Sequence, residues 1–500
     1  MRFVFEQGKW LPEALAKEKH KDRRPISRLP DLPSCEKNPE FLFSPTLLAF
    51  LEGKQLLIDD LPFSLEQIQA HYENGYLRYQ KGITQTERGG YRCERCGNER
   101  AHLFASFHCA RCEESCTYCR QCLMMGRVSE CTPLVVSCVS PKRIAYDRPL
   151  VWSGKLSHAQ QAAAEAVKQA IDRHDELTVW AVCGAGKTEV LFPGIAHALE
   201  RGRRVCIATP RMDVVLELAP RFKQAFPTVP VIALYGGSED RFKQAPLVMA
   251  TTHQLLRFYR AFDVMIIDEV DAFPYSVEPM LQYAAAKARC EPSALIYLTA
   301  TPHPAWQREI QKNKRMAATI PARYHGYPLP VPAFEWCGHW RKQVQKGKLP
   351  RNVLAWANER IQKGRPALLF VPHIALLQQV VQILKQLDAR IEGVHAEESA
   401  RKEKVHAFRQ GAIPLLVTTT ILERGVTIPR LDVAVLGAED DLFTEGALVQ
   451  IAGRVGRSAL HPNGDVRFFH YGKTKAMVAA KRQIVRMNRL AQERGLLKSP

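Results

Sequence analysis

Residues Ala181 to Thr188, AVCGAGKT, decide the fold of this 500-residue chain. Gly184, Ala185 and Gly186 carry almost no side chain, so backbone N–H groups can converge there on phosphate oxygens. Lys187 then brings a point charge to the β and γ phosphates, and Thr188 brings a hydroxyl for Mg²⁺. The strict pattern G-x-x-x-x-G-K-[ST] opens on glycine, and here Ala181 stands in that place. The flanks supply the missing context. LTVWAVC before the loop is an apolar, β-rich run, and EVLFPGIAHALERG after it predicts a helix ending at Gly202.

A second string answers the first. Phe262 to Ile267, FDVMII, predicts a buried parallel strand, and DEVD (Asp268 to Asp271) begins where it ends. Ligand sites in open α/β sheets lie outside the carboxyl ends of strands. Asp268 is expected to hold the metal ion, and Glu269 to orient or polarise an attacking water. The two strings in this order predict a Mg²⁺-dependent ATPase core.

Lys and Arg total 70 against 51 acids, a net charge of +19. That balance favours a polyanionic partner, nucleic acid before an anionic membrane face. No stretch approaches the length of an apolar membrane span. The first residues, MRFVFEQGKWLPEALAKEKHKDRR, lack a secretory apolar core and cleavage site, which predicts a cytoplasmic protein. Its 14 cysteines would stay reduced there, so metal binding outranks disulfides.

The length and a 46% hydrophobic content suffice for several packed cores. Residues 1–87 form an N-terminal accessory segment without a readable motif. Helices are expected within it from Leu42 to Lys54 and from Phe63 to Tyr79. Residues 88–138 are cysteine-rich. In 139–320, strands alternate with helical stretches, which predicts a parallel sheet with crossover helices. The Pro-rich stretch from Pro321 to Pro332 is read as a connector inside 321–500, which repeats the βα pattern. Its strands include Ala367–Val371, Pro414–Thr419 and Val433–Gly437, and a basic helix, Thr474 to Gly495, ends the chain. The fold class is therefore α/β.

Eight cysteines fall between Cys93 and Cys131. Cys93-Glu-Arg-Cys96-Gly97 is a knuckle, two thiolates two residues apart with glycine at the tight turn. Cys119-Arg-Gln-Cys122 is a second pair, and two pairs make a tetrahedral Cys₄ zinc site. Cys109-Ala-Arg-Cys112 competes for the second place, with Cys116 and His108 nearby. Cys119 and Cys122 are favoured, and spacing alone leaves the choice open, along with a second metal. Zinc would organise a domain too small to hold a core alone.

Gln450 to Arg457 reads QIAGRVGR. Arg454 and Arg457, three apart, are expected on one helical face. Delivered across a cleft, they can stabilise charge on a transferring phosphoryl group.

The ordered set of motifs resembles superfamily 2 helicases and translocases, which implies two RecA-like domains in tandem. Leu156-Ser-His-Ala-Gln160 resembles the glutamine motif that reads adenine, and Gln450 joins the nucleotide-contacting residues. Thr209-Pro210-Arg211 is similar to motif Ia, Thr251-Thr252-His253 to motif Ib, and Thr299-Ala300-Thr301 to motif III. The resemblance thus gives Asp271, Thr299 and Thr301 a coupling role, and turns Arg211, His253, Arg257 and Arg424 toward DNA. Thr427 departs from the superfamily, where motif V often has an acid.

A narrower resemblance is to the late competence protein ComFA family. It rests on WAVCGAGKTE, CIATPRMDVVLELAPR, IIDEVDAFPY, TTTILERGV and the element ending YCRQCLMMGRV, and spans residues from about 90 to 475. It implies ATP hydrolysis stimulated by single-stranded DNA and a motor pulling one strand through a membrane channel. Position by position it implies Cys93, Cys96, Cys119 and Cys122 as the zinc ligands. It also implies other competence proteins as partners, the membrane DNA channel among them, and a peripheral place on the inner face of the membrane. Oligomeric state stays open, a homo-oligomer included. Competing readings are a replication-restart or repair helicase, and a zinc-containing nucleic-acid scaffold that uses ATP as a switch.

Overall fold

The structure is a computed structural model, and it describes every residue except 7, 19–21, 31, 33–34, 423–427 and 499–500. The chain divides into two compact units. The first holds Met1–Ser153, Val167–Glu176 and Phe192–Tyr297; the second holds Gly154–Ala166, Leu177–Leu191 and Leu298–Pro500.

Two RecA-like sheets follow one another along the chain. The first has seven strands in the order Val231–Leu234, Leu247–Thr251, Val205–Thr209, Phe262–Asp268, Arg289–Thr299, Glu176–Ala181 and Ala317–Ile320. The second has six, in the order Ala333–Trp336, Val466–His470, Asp432–Leu436, Ala367–Phe370, Leu415–Thr418 and Glu392–Val394. Its pairs are all parallel. The inner strands of this sheet, ALLF, LLVT and DVAVL, are buried at every position, as a sheet covered on both faces requires. Trp340, Val353, Leu369, Val417, Leu436 and Phe469 are part of its core.

The loop helix runs Lys187–Glu200, as the sequence predicts. The last helix is Lys475–Glu493, capped by the Thr474 hydroxyl, which accepts from the Met477 N–H. It buries Met477, Ala480, Ile484, Met487 and Ala491, an i, i+3, i+4 stripe.

In the first unit the accessory segment has a core of Phe3, Ile26, Leu47, Leu51, Ile68 and Tyr72, completed by Val135 from beyond the cysteines. Its helices are shorter than expected. Pro45–Leu51 replaces the span from Leu42 to Lys54. The span from Phe63 to Tyr79 splits into the helix Leu65–Glu73 and the strand Leu77–Gln80. The break lies at Asn74-Gly75, where Gly75 takes φ +77°, a left-handed turn that stops the helix. Strand Leu134–Ser137, just beyond the cysteines, pairs on both sides with accessory strands Gln55–Leu57 and Leu77–Gln80. The cysteine module is thus sewn into the accessory segment.

Candidate active site and cysteine module

In the second unit, strand Glu176–Ala181 delivers the phosphate loop. Gly184 and Gly186 take φ +81° and +69°, a left-handed backbone that turns the loop before Lys187 opens its helix. Lys187 and Thr188 are only partly buried, so ammonium and hydroxyl are within reach of a phosphate. Gln160 braces the loop. Its Nε2 donates to Ala185 O at 2.9 Å, and its Oε1 accepts from Ser157 N at 2.7 Å. A Cβ on Gly186 would lie 2.5 Å from Gln160 Nε2, so glycine is needed there for space as well as for φ. Both ends of the Gln160 amide are engaged within the protein, and its visible work is to hold the loop.

QIAGRVGR belongs to the same unit and touches the loop. Cys183 Sγ donates to Gln450 Oε1 at 3.1 Å. A Cβ on Gly453 would sit 2.5 Å from Cys183 Cβ, so this glycine admits the loop residue. The helix here is Glu445–Ala452 and stops before the arginines. Arg454 and Arg457 therefore do not share a helical face; they lie on the turn beyond it, where Gly456 takes φ +68°. Arg454 is buried, and Arg457, partly buried, donates from Nε to Gly453 O at 3.1 Å.

Arg323 was hidden in what reads as a Pro-rich connector. It is 2% exposed and donates from Nη1 to Gly456 O at 2.6 Å and from Nη2 to Val455 O at 2.7 Å. The next residue, Tyr324, donates its N–H to Gly184 O at 3.1 Å. One dipeptide so links the phosphate loop to the arginine turn. Burial lowers the Arg323 pKa to about 10, which still leaves it charged at neutral pH. Thr299 and Thr301 are buried, with Thr301 N donating to Thr299 Oγ1 at 2.9 Å. Between them, Ala300 O accepts from Trp180 Nε1 at 3.1 Å and from Gln483 Nε2 at 2.8 Å. No periodicity pointed to Arg323, Trp180 or Gln483.

In the first unit, Asp268 ends its strand as expected, and Glu269 N donates to Asp268 Oδ1 at 2.9 Å. Glu269 has φ +56°, a left-handed conformation costly for a residue with a side chain and typical of functional turns. Asp271 follows on the same turn. Arg211 precedes the helix Met212–Ala225 and pairs with Asp213 at 2.8 Å. His253 and Arg257 lie on the 3₁₀ turn Thr252–Arg257, both partly buried. Burial lowers the pKa of His253, and burial with Arg241 nearby lowers Arg257 to about 10. Arg424 and Thr427 lie outside the described residues.

The eight cysteines fall into two groups of four. Sγ atoms of Cys93, Cys96, Cys119 and Cys122 lie within 4.8 Å of one another, all buried. A tetrahedron with Zn–S bonds of about 2.3 Å has edges of about 3.8 Å. Cys93–Cys122 and Cys96–Cys119 stand at 3.8 and 3.7 Å, so the first group fits zinc. Cys109, Cys112, Cys116 and Cys131 make the other group. The first group faces the motor helix Pro279–Ala288. Tyr283 Oη donates to Glu94 O at 3.4 Å, and Lys287 Nζ to Arg95 O at 2.8 Å.

These features define a superfamily 2 helicase-like ATPase. Family models match accordingly: Competence protein ComFA N-terminal domain over 36–136, Type III restriction enzyme, res subunit over 153–304, and Helicase conserved C-terminal domain over 348–459. The chain is 50% identical over 456 residues to Competence protein ComFA of Bacillus subtilis, covering 91% of this chain and 97% of that one. It is 39% identical over 376 residues to Competence protein ComFA of Streptococcus pneumoniae, covering 75% and 86%. It also resembles a solved structure of S. cerevisiae Dbp5 bound to RNA and ADP BeF3, at 14% identity and TM-score 0.46, over 66% of this chain and 91% of that one. The chain belongs to the ComFA competence protein family. Among the described residues, no helix is long and apolar enough to cross a membrane.

Proposed function

We propose that this chain is an ATP-driven single-stranded DNA translocase that draws transforming DNA into the cytoplasm. The observation that carries the reading is the Cys183–Gln450 contact, where the phosphate loop meets the QIAGRVGR segment within one unit. An arginine turn seated on the loop carrying Lys187 suits a motor whose hydrolysis responds to the arrangement of its parts.

The roles follow from chemistry. Lys187 neutralises phosphate charge, and Thr188 and Asp268 are the residues that would hold Mg²⁺, which would supply further positive charge against the phosphates. Glu269 orients the attacking water, while Arg454 and Arg457 stabilise charge developing on the transferring group. Gln160 and Gln450 position the nucleotide side of the loop. Arg211, His253, Arg257 and Arg424 track the strand backbone, as binding without sequence preference requires. Asp271, Thr299 and Thr301 couple the two events. Cys93, Cys96, Cys119 and Cys122 hold a structural zinc. The partners are single-stranded DNA and the membrane DNA channel with its associated competence proteins, reached from the inner face of the membrane.

The test is ATP hydrolysis with and without single-stranded DNA, using Lys187→Ala as the blank. Strong stimulation by DNA is expected, and its absence overturns the reading in favour of a scaffold switched by ATP. Robust separation of duplex strands would instead favour a replication-restart or repair helicase. Cys93→Ala and Cys119→Ala should each release zinc, and unchanged content in both overturns the ligand choice.

A further inference from the structure

We propose that Cys109, Cys112, Cys116 and Cys131 form a second Cys₄ zinc site, which orders the face of the cysteine module that contacts the accessory segment. The four thiols are buried, between 1% and 4% exposed, and their Sγ atoms lie within 4.8 Å of one another. Cys109 Sγ and Cys131 Sγ stand 3.7 Å apart, the same edge as in the first group and the one a Zn–S tetrahedron of about 2.3 Å bonds requires.

The backbone repeats the first site. In Cys93-x-x-Cys96-Gly97 the Gly97 N–H donates to Cys93 O at 2.8 Å, with φ +70° at Gly97. In Cys109-x-x-Cys112-Glu113 the Glu113 N–H donates to Cys109 O at 2.7 Å, with φ +55° at Glu113. Glycine takes that conformation freely. Glutamate does not, and such a residue persists only where its surroundings over-determine it. A metal gripping Cys112 and Cys116, on either side of Glu113, is such a surrounding. Each group also has a polar side chain on one sulfur: Asn98 Nδ2 donates to Cys119 Sγ at 3.7 Å, and Ser129 Oγ shares a hydrogen bond with Cys131 Sγ at 3.6 Å. Hydrogen bonds of this kind orient metal ligands.

The two groups share one hairpin and face different neighbours. Phe104–Cys109 and Glu114–Cys119 pair antiparallel, so that Cys116 serves one group and Cys119 the other. Residues around the second group reach the accessory segment: Arg111 pairs with Asp59 at 2.8 Å, Glu113 with Arg2 at 2.8 Å and Glu114 with Arg28 at 2.7 Å. Glu130 O accepts from Ser27 N at 3.1 Å, and the strand Leu134–Ser137 that enters the accessory sheet begins three residues after Cys131. Exposed ion pairs alone hold little, typically below about 1 kcal/mol each. A metal here would hold in place the turns that carry these pairs, beside the strand Leu134–Ser137 that enters the accessory sheet.

The experiment is zinc stoichiometry on the full-length purified chain by elemental analysis, paired with a Co²⁺ titration that reads thiolate-to-cobalt absorbance. The unsubstituted chain should carry two zinc ions and saturate its cobalt band at two equivalents. Cys112→Ser and Cys131→Ser should each drop to one, with faster hydrogen exchange in residues 1–60. Cys119→Ser should also drop to one, with faster exchange in Pro279–Ala288 instead. One equivalent in the unsubstituted chain overturns the proposal, whatever the variants do. So does full retention of two ions in both Cys112→Ser and Cys131→Ser, or a denatured thiol count short of 14 that reveals a disulfide in this group.

Discussion

The phosphate loop and the cysteine module solve opposite problems with equally short sequence elements. The loop must leave its polar groups free for a ligand, so Lys187 and Thr188 stay partly open and the shaping is done by Gly184 and Gly186. The module must leave nothing free, and all eight of its thiols from Cys93 to Cys131 are buried. An open site can be recognised from consecutive residues, because its chemistry lies in one turn of backbone. A closed site draws ligands from distant turns, so its composition is a property of the folded chain.

The largest expected separation of the two regions comes from removing metal. Chelation of all bound metal should unfold the module by forfeiting binding energy on the order of 10 kcal/mol. Protease should then cut within residues 88–138 while the remainder of the chain still binds nucleotide. Loss of nucleotide affinity in step with zinc would show the regions to be one cooperative unit. The converse change is Lys187→Ala, expected to slow hydrolysis by about 10²- to 10³-fold with zinc content and melting temperature unchanged. A melting shift of several degrees would count against the open-loop reading.

Lys54 tests how the accessory segment tolerates charge. It is 5% exposed, its Nζ has no hydrogen-bond partner among the described residues, and burial lowers its pKa to about 8. The unfolded chain, near the ordinary 10.5, binds the proton more tightly than the folded one. The penalty is thus fully present below pH 8 and fades as pH rises from about 8 to 10.5. Lys54→Met should stabilise the protein by up to about 3 kcal/mol at pH 7, with a gain that shrinks toward pH 10 in denaturant titrations. A gain independent of pH would mean that packing, not charge, is responsible.

The smallest effect concerns the seam between loop and arginine turn. Gly453→Ala should cost about 1–3 kcal/mol by overpacking Cys183, and adding Cys183→Gly should recover part of the stability and of the ATPase rate. A double variant no better than the single one would place the strain elsewhere.

Much was legible in advance. The strands Phe262–Asp268, Leu415–Thr418 and Asp432–Leu436 and the final helix sit where apolar runs and periodicity put them, because burial on both sheet faces leaves a continuous signature. Helix ends were less legible. Glycines overrode the pattern: the helix expected to reach Tyr79 broke at Gly75, and the helix before the arginines ended at Gly453, leaving Arg454 and Arg457 on the turn beyond it.

Short runs of sequence point to the chemistry: a phosphate loop expected at Lys187, an acidic pair at Asp268 and Glu269, an arginine pair after Gln450, and thiols in knuckle spacing. Those are local, because a few consecutive residues carry the donors and charges. Folding brings the thiols into their two groups, closes the second with Cys131, and sets Arg323 between Gly184's neighbourhood and Gly456. Those partners are brought together by strand pairing and helix packing across long stretches of chain, and spacing along the sequence carries no record of such distances.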